Sequence, residues 1–250
     1  MSRLLTAVVM SLCLVMGAIA APTSVPRAGA AVVITTAIGT TLEGYLVGSS
    51  SACKTVLLLH DRWGMDTLIL DLADKLSTQN YTVLAIDLYD GRRAEKEDAE
   101  QAAMLTRQIA PEWLDTNLRS GLTYLHTKPG CKTTLMGIGY GGTAAMRAAV
   151  IEPTLVTSTV NISGKVPHET EAVRLIAGPV LTVYATQDNE VARFEVDSFT
   201  SLRQKLRLAA TLTIVEGSPG FMDPRHAAYD EAAATRIWQA SIDFLNSTQR

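Results

Sequence analysis

One stretch constrains this chain more than any other: Thr133-Thr134-Leu135-Met136-Gly137-Ile138-Gly139-Tyr140-Gly141-Gly142. Its first half is apolar, as a buried strand requires, and four glycines crowd its last six residues. Thr143-Ala144-Ala145-Met146-Arg147 then opens a helical pattern. A strand that turns this sharply into a helix points to a parallel sheet beneath, over which the helix runs back. Written G-x-S-x-G, the same arrangement is the strained elbow that lifts a serine or cysteine above such a sheet. The lifted position here is Gly139. A glycine has no attacking atom, so the sequence predicts the scaffold of a nucleophile without the nucleophile.

The surrounding pattern supplies that sheet. Residues 32–36 and 41–47 read as two strands around Gly39-Thr40, an antiparallel hairpin at a sheet edge. From Thr55 onward, short apolar strands at 55–60, 82–88, 133–138, 156–162, 180–185 and 210–215 alternate with helical segments. The helices are expected at 67–78, 94–109, 112–126, 143–151, 196–208 and 227–245, with Asp66 and Asp115 favouring helix starts. The predicted fold class is therefore α/β: a mostly parallel central sheet, an N-terminal antiparallel hairpin and helices on both faces. The charge run Ala94-Glu95-Lys96-Glu97-Asp98-Ala99-Glu100 reads as a solvated helix face. A chain of 250 residues with 47% apolar content can bury a large core, and a net charge of -3 gives no reason to expect nucleic acid or an anionic membrane as partner.

The first 20 residues read as an export signal, with Arg3 ahead of an apolar run from Leu4 to Met16 and Ala18-Ile19-Ala20 as a cleavage site. The mature protein is expected to begin at Ala21, with residues 21–30 as a Pro/Gly/Ala tether and 31–250 as one domain, periplasmic or secreted. Cys13 leaves with the signal. Cys53 and Cys131 remain, each just before an apolar strand (Cys53-Lys54-Thr55-Val56 and Cys131-Lys132-Thr133-Thr134). If those strands are parallel neighbours, the two thiols start side by side and form a disulfide in an oxidising compartment.

Ligands of an open α/β sheet bind at the carboxyl ends of its strands. Those ends carry His60-Asp61-Arg62-Trp63-Gly64, Asp87-Leu88-Tyr89-Asp90-Gly91-Arg92-Arg93, the glycine turn, Ser163-Gly164-Lys165, Gln187-Asp188-Asn189 and Gly217-Ser218-Pro219-Gly220-Phe221. With these in order, the chain resembles the dienelactone hydrolase family of α/β-hydrolases. Leu59-His60-Asp61-Arg62-Trp63-Gly64-Met65 is similar to that family's H-E-x-x-G-L turn, Ile86-Asp87-Leu88-Tyr89 to its P-D-L-Y, and Gly217-Ser218-Pro219-Gly220-Phe221-Met222-Asp223 to its G-A-x-H-G-F-x-D. The resemblance implies attack on an ester or lactone carbonyl by an elbow nucleophile, with a histidine as base and an aspartate orienting it. The nucleophile falls on Gly139, the acid on Asp188 and the histidine on Pro219, so two of the three positions cannot act.

Two readings of function follow. In the first, the chain is a catalytically inactive member that keeps a pocket for a small molecule or a protein partner, lined by His60, Asp61, Gly139, Tyr140 and Arg92. The vacancy at 139 then opens space beside the Tyr140 N–H at a helix N-terminus, unless Tyr140 or Phe221 collapses into it. In the second, hydrolysis of a small ester or lactone survives on relocated residues drawn from Ser163, Ser218 and His226. A weaker alternative is dinucleotide binding, since residues 137–142 satisfy G-x-G-x-x-G, but the acidic residue expected about 20 positions on is missing. No cofactor is called for, and no metal motif such as H-E-x-x-H is present.

Overall fold

The computed structural model describes residues 27–49, 53–126 and 131–249; the expected export signal and most of the expected tether lie outside the described residues. In chain order the elements are β1 (Ala30–Thr35), β2 (Thr41–Val47), β3 (Lys54–Leu59), α1 (Thr67–Ser77), β4 (Thr82–Ile86), α2 (Ala99–Arg107), α3 (Pro111–Leu125), β5 (Lys132–Ile138), α4 (Tyr140–Ile151), β6 (Val156–Ile162), α5 (Thr170–Leu175), β7 (Val180–Ala185), α6 (Arg193–Lys205), β8 (Ala210–Val215) and α7 (Glu231–Thr248). The strands form one 8-stranded sheet in the order β1-β2-β4-β3-β5-β6-β7-β8. The β1–β2 and β2–β4 pairs are antiparallel and every other pair is parallel.

Side-chain alternation along the central strands builds a core on each face. Leu57 and Leu59 of β3, Leu84 and Ile86 of β4 and Leu135 of β5 meet the apolar sides of α2, α3 and α4. Val56 and Leu58, Val83 and Ala85, and Met136 point the other way, onto Ile69, Leu72 and Leu76 of α1 and Ile237 and Leu245 of α7. Because successive residues of a strand face opposite sides, a strand sandwiched between helix layers must be apolar at every position. The fully buried run Val56–Leu59 shows it. Truncating any of these leucines to alanine costs about 2–5 kcal/mol.

β3 and β5 are parallel neighbours in register from Lys54 opposite Lys132. That register puts Cys53 beside Cys131, and the two are joined in a disulfide with Cα atoms 4.6 Å apart. At the same end, Thr55 and Thr133 share a hydroxyl hydrogen bond of 2.7 Å. Gln249, just past α7, donates to the Thr55 carbonyl and to Thr134 Oγ1. The amino ends of the two central strands are thus cross-linked and roofed by the C-terminal helix, which leaves the opposite edge of the sheet for the site.

Some element limits differ from expectation for local reasons. α2 begins at Ala99, not 94: Glu97 has φ 70° and the Asp98 side chain caps the helix by accepting from Gln101 N. The charge run is therefore a loop, and Lys96 turns inward instead of standing on a solvated helix face. Asp66 caps α1 as expected, accepting from Ile69 N. Asp115 does not cap α3, which starts at Pro111; it pairs with Arg147 on α4. α7 starts at Glu231 behind Asp230, and the short α5 has no counterpart among the expected helices. Among the described residues, no helix is long and apolar enough to cross a membrane.

Candidate functional site

β5 ends at Ile138 and α4 begins at Tyr140, so the whole reversal is made by Gly139, with φ 53° and ψ -116°. Its N–H donates to the Ile162 carbonyl of β6, which pins the turn over the sheet. Gly141 permits the close approach behind it: a Cβ there would stand 2.2 Å from the Leu59 carbonyl oxygen of β3. The backbone is that of a nucleophile elbow, three residues earlier in its helix start than the sequence pattern suggests.

The space above Gly139 is filled, and by a residue other than the two expected candidates. A Cβ built at 139 would meet Asp61 Oδ1 at 2.1 Å. Asp61 reaches over from the β3–α1 loop, and Oδ1 accepts from its neighbour Arg62 N at 2.6 Å and from Tyr140 N at 3.4 Å. In an α/β-hydrolase, the oxyanion is held by the N–H after the nucleophile and by an N–H from the loop after the matching strand. Tyr140 N and Arg62 N stand in those two places here, and both point at the Asp61 carboxylate. Asp61 is half-buried. Burial pushes its pKa up, against the pull of the Arg62 N–H and charge, the Tyr140 N–H and Lys96.

Tyr140 leans instead on Tyr89, with ring centroids 5.9 Å apart, and burial raises its hydroxyl to about 12. Phe221 packs into the core on the α1/α7 face. What remains beside the elbow is a cavity of about 20 Å³, walled by Asp61, Trp63, Ile138, Ser163, Phe221 and His226. That is room for about one water molecule.

Its roof is ionic. Lys96 Nζ sits 2.9 Å from Asp66 and 2.5 Å from Asp223. Arg225 closes the square at 3.0 Å from each of the same carboxylates. The square joins the β3–α1, β4–α2 and β8–α7 loops across the mouth of the cavity. Trp63 lies beneath it, with Lys96 Nζ 5.4 Å and the Arg62 guanidinium 5.2 Å from its ring. Burial works against the charge on Asp223, but Arg225 and Lys96 outweigh it and hold the carboxyl below the usual range. Arg62 pairs across the top with Glu190. Sequence reading missed this roof because Lys96 lay in a run that looked helical. The available signal was Glu97-Asp98, a turn-and-cap pair that stops the helix short of Lys96.

The remaining sequence candidates fall as follows. His60 is fully buried: its Nε2 accepts from Leu88 N at 3.0 Å and its Nδ1–H donates to the Asp61 carbonyl at 2.7 Å. Both ring nitrogens are used by backbone, which makes His60 a tie between loops, not a pocket wall. Arg92 is exposed and donates to the Tyr89 carbonyl and to Gln108, so it is not part of the cavity. Asp188 Oδ1 holds its own turn, accepting from Glu190 N and Val191 N at 2.8 and 3.0 Å. Asp188 Oδ2 is buried with no partner, and burial raises the carboxyl's pKa. An imidazole would normally donate to such an oxygen; Pro219 stands at the histidine position.

The relocated residues do not assemble. His226 Nδ1 accepts from Ala228 N at 3.0 Å, so that nitrogen is already engaged by backbone. Ser163 shares the cavity with it, but its Oγ is buried without a hydrogen-bond partner. Its backbone is held at φ 55° by a turn that the Asn161 amide closes onto Gly164. Ser218 Oγ donates to Gln187 at the surface. Among the described residues, no group of His, Cys, Asp or Glu could hold a metal ion. A wider groove of about 450 Å³ lies elsewhere, between the β1–β2 turn at Ile38 and α3 at Ser120 and Tyr124, and none of these residues belongs to it.

The family model for the dienelactone hydrolase family matches residues 42–249. A "Putative carboxymethylenebutenolidase" of Aquifex aeolicus is 24% identical over 221 residues, spanning 84% of this chain and 94% of its own. The crystal structure of a dienelactone hydrolase from Anabaena variabilis superposes with a TM-score of 0.66 at 20% identity, covering 89% of this chain and 98% of that one. A dienelactone hydrolase-like promiscuous phosphotriesterase from metagenomic libraries gives 0.75 at 17%, covering 88% and 99%. With the family model matching nearly all of the described chain, residues 42–249, the chain belongs to the dienelactone hydrolase family.

Proposed function

We propose that this chain is an exported, catalytically silent member of its family whose elbow serves as a binding site in place of a reaction centre. One observation carries the reading: the two N–H donors of the oxyanion position are in place and hold a carboxylate, while the atoms that would attack and take up the proton are absent at Gly139 and Pro219. Electrostatic stabilisation alone leaves water as the only nucleophile, with no base to activate it. The elbow's own occupant also disfavours dinucleotide binding, since Asp61 sets a carboxylate where a pyrophosphate would lie. For export, the support is the Arg3 to Ala20 signal pattern together with the Cys53–Cys131 disulfide, which belongs in an oxidising compartment.

The test is hydrolysis of aryl esters and simple lactones by the purified mature protein. The expected rate equals that of a control protein lacking a pocket. Saturating turnover that disappears in Ser163→Ala or His226→Ala would overturn the reading in favour of a relocated hydrolase.

A further inference from the structure

We propose that the outer edge of β1 is the surface through which two copies of this chain associate, β1 pairing antiparallel with its own copy about a two-fold axis. This is independent of what the elbow binds.

The hydrogen-bond pattern shows where the edge is open. The Glu43 carbonyl of β2 accepts from Asp87 N, just past β4. Odd-numbered residues of β2 therefore serve β4, while Leu42, Gly44 and Leu46 serve β1 from opposite Ile34, Val32 and Ala30. Thr36 N, donating to the Thr40 carbonyl, continues the same alternation into the turn. Ala31, Val33 and Thr35 are left with their N–H and C=O groups directed away from the sheet. Monomeric proteins blunt such an edge with a charge, a proline or a bulge. From Ala28 to Leu42 this hairpin has no charged residue and no proline, and the six partners of β1 follow one another without a shift. Val33 and Ile38 of the same hairpin are 65% and 66% exposed, whereas no large hydrophobic of β8, the other edge strand, is exposed.

A second copy fits this edge. Centring a two-fold axis on Val33 joins all three outward residues, Ala31 to Thr35, Val33 to Val33 and Thr35 to Ala31, and no charge meets its like along the strand. An axis perpendicular to the sheet also keeps α3 of both copies on one face, where each flanks the seam. On that face the groove of about 450 Å³ opens beside the edge, between Ile34, Thr36 and Ile38 of the hairpin and Ser120 and Tyr124 of α3. The second copy's Ala30 and Val32 fall alongside it with their side chains on the same face, since Val32 packs against the core that α3 covers. Arg119, the charged residue of the groove, is paired with Glu152 and so does not confront its copy as a bare cation.

Size sets the strength. Six residues of strand span about 20 Å, and a sheet edge with one flanking helix layer is about 20 Å deep. The surface covered is then roughly 400 Å² per copy, about half that of a standard stable interface. The dimer is accordingly weak and concentration-dependent. It leaves both elbows uncovered, because β5 lies four strands in from β1.

The experiment is sedimentation velocity of the chain from Ala21, between about 1 μM and 1 mM. Wild type is expected to pass from monomer to dimer within that range. Val33→Lys opposes two ammonium groups at the axis while leaving every β1–β2 hydrogen bond in place, and should raise the dissociation constant about tenfold or more. Thr211→Lys, the same charge at an exposed position of β8, should leave the equilibrium unchanged. Val33→Cys reads the register directly: opposed Cα atoms of an antiparallel pair lie about 5.5 Å apart, so oxidation should link the two copies. It also serves if Val33→Lys does not fold. The proposal is overturned if wild type stays monomeric at the highest concentration, if Val33→Lys dimerises as wild type does, if Thr211→Lys disrupts the dimer, or if Val33→Cys gives no linked pair. It is equally overturned if dimers appear only after residues 21–26 are deleted, since the chain's own tether would then cover the edge.

Discussion

Replacing Gly139 with alanine adds one methyl group, and the structure assigns it two separable costs. The first is backbone: φ 53° with ψ -116° suits glycine, and holding a residue with a Cβ there costs about 1–3 kcal/mol. The second is steric, since the new Cβ would lie 2.1 Å from Asp61 Oδ1 and the carboxylate must leave the hole. Leaving breaks a hydrogen bond to a charged group, worth about 1.5–3 kcal/mol. Gly139→Ala should therefore lose about 2.5–6 kcal/mol in urea unfolding of the oxidised protein. In an Asp61→Ala background only the backbone cost remains, so the double-mutant cycle should return a coupling of about 1.5–3 kcal/mol. The cycle also cancels whatever Asp61→Ala does by itself. If Gly139→Ala proves neutral, or if the two changes are additive within about 0.5 kcal/mol, Asp61 does not occupy the elbow and the argument built on it fails.

Three further outcomes are expected. Asp61→Asn should gain stability relative to wild type as pH rises: a carboxyl whose folded pKa is raised contributes stability below the ordinary aspartate range and loses it as pH climbs through the folded value, so denaturation curves for the two proteins should converge in acid and separate towards neutrality. Lys96→Met keeps the packing on Trp63 and removes two ion pairs. It should cost about 1–3 kcal/mol at pH 7, a figure reduced for the partial exposure of Lys96, and it should flatten the acid limb, because Asp223's depressed pKa makes its contribution disappear as pH falls through the folded value. Reducing Cys53–Cys131, which are separated by 78 residues, should lower stability by roughly 4–5 kcal/mol in the chain-entropy account, read as a shift in urea midpoint with and without reductant.

The sequence disclosed most where side-chain chemistry is repetitive and least where it is singular. Alternating apolar strands and helices located every strand of the sheet to within two residues, and the shared context of Cys53 and Cys131 anticipated a parallel pairing that the register of β3 and β5 bears out. The elbow was legible because its geometry is written in glycine. What fills it was not. Nothing in Leu59-His60-Asp61-Arg62 says that Asp61 folds back onto the N–H of its neighbour and across to Tyr140, because that conformation depends on an empty space 78 residues away at Gly139. His60 misled for a related reason. A histidine at a strand end looks like a site residue, and only the positions of Leu88 N and the Asp61 carbonyl show that both its nitrogens serve the backbone.

In the silent-member reading we propose, Asp188 makes the change at the elbow more than the loss of one atom. Its turn-forming oxygen is fully used, while its other oxygen is buried and bare, so the acid still stands ready for an imidazole that the chain does not provide. A serine at 139 would clash with Asp61, and position 219, a proline, would have to become a histidine. Recovering a triad thus requires at least three coordinated changes: a nucleophile at 139, a base at 219 and withdrawal of Asp61. The first alone displaces Asp61 without completing a reaction path. By contrast, opening the hole as a binding site asks for the movement of one side chain, Asp61, and the donors that would receive a ligand are already pointed at it.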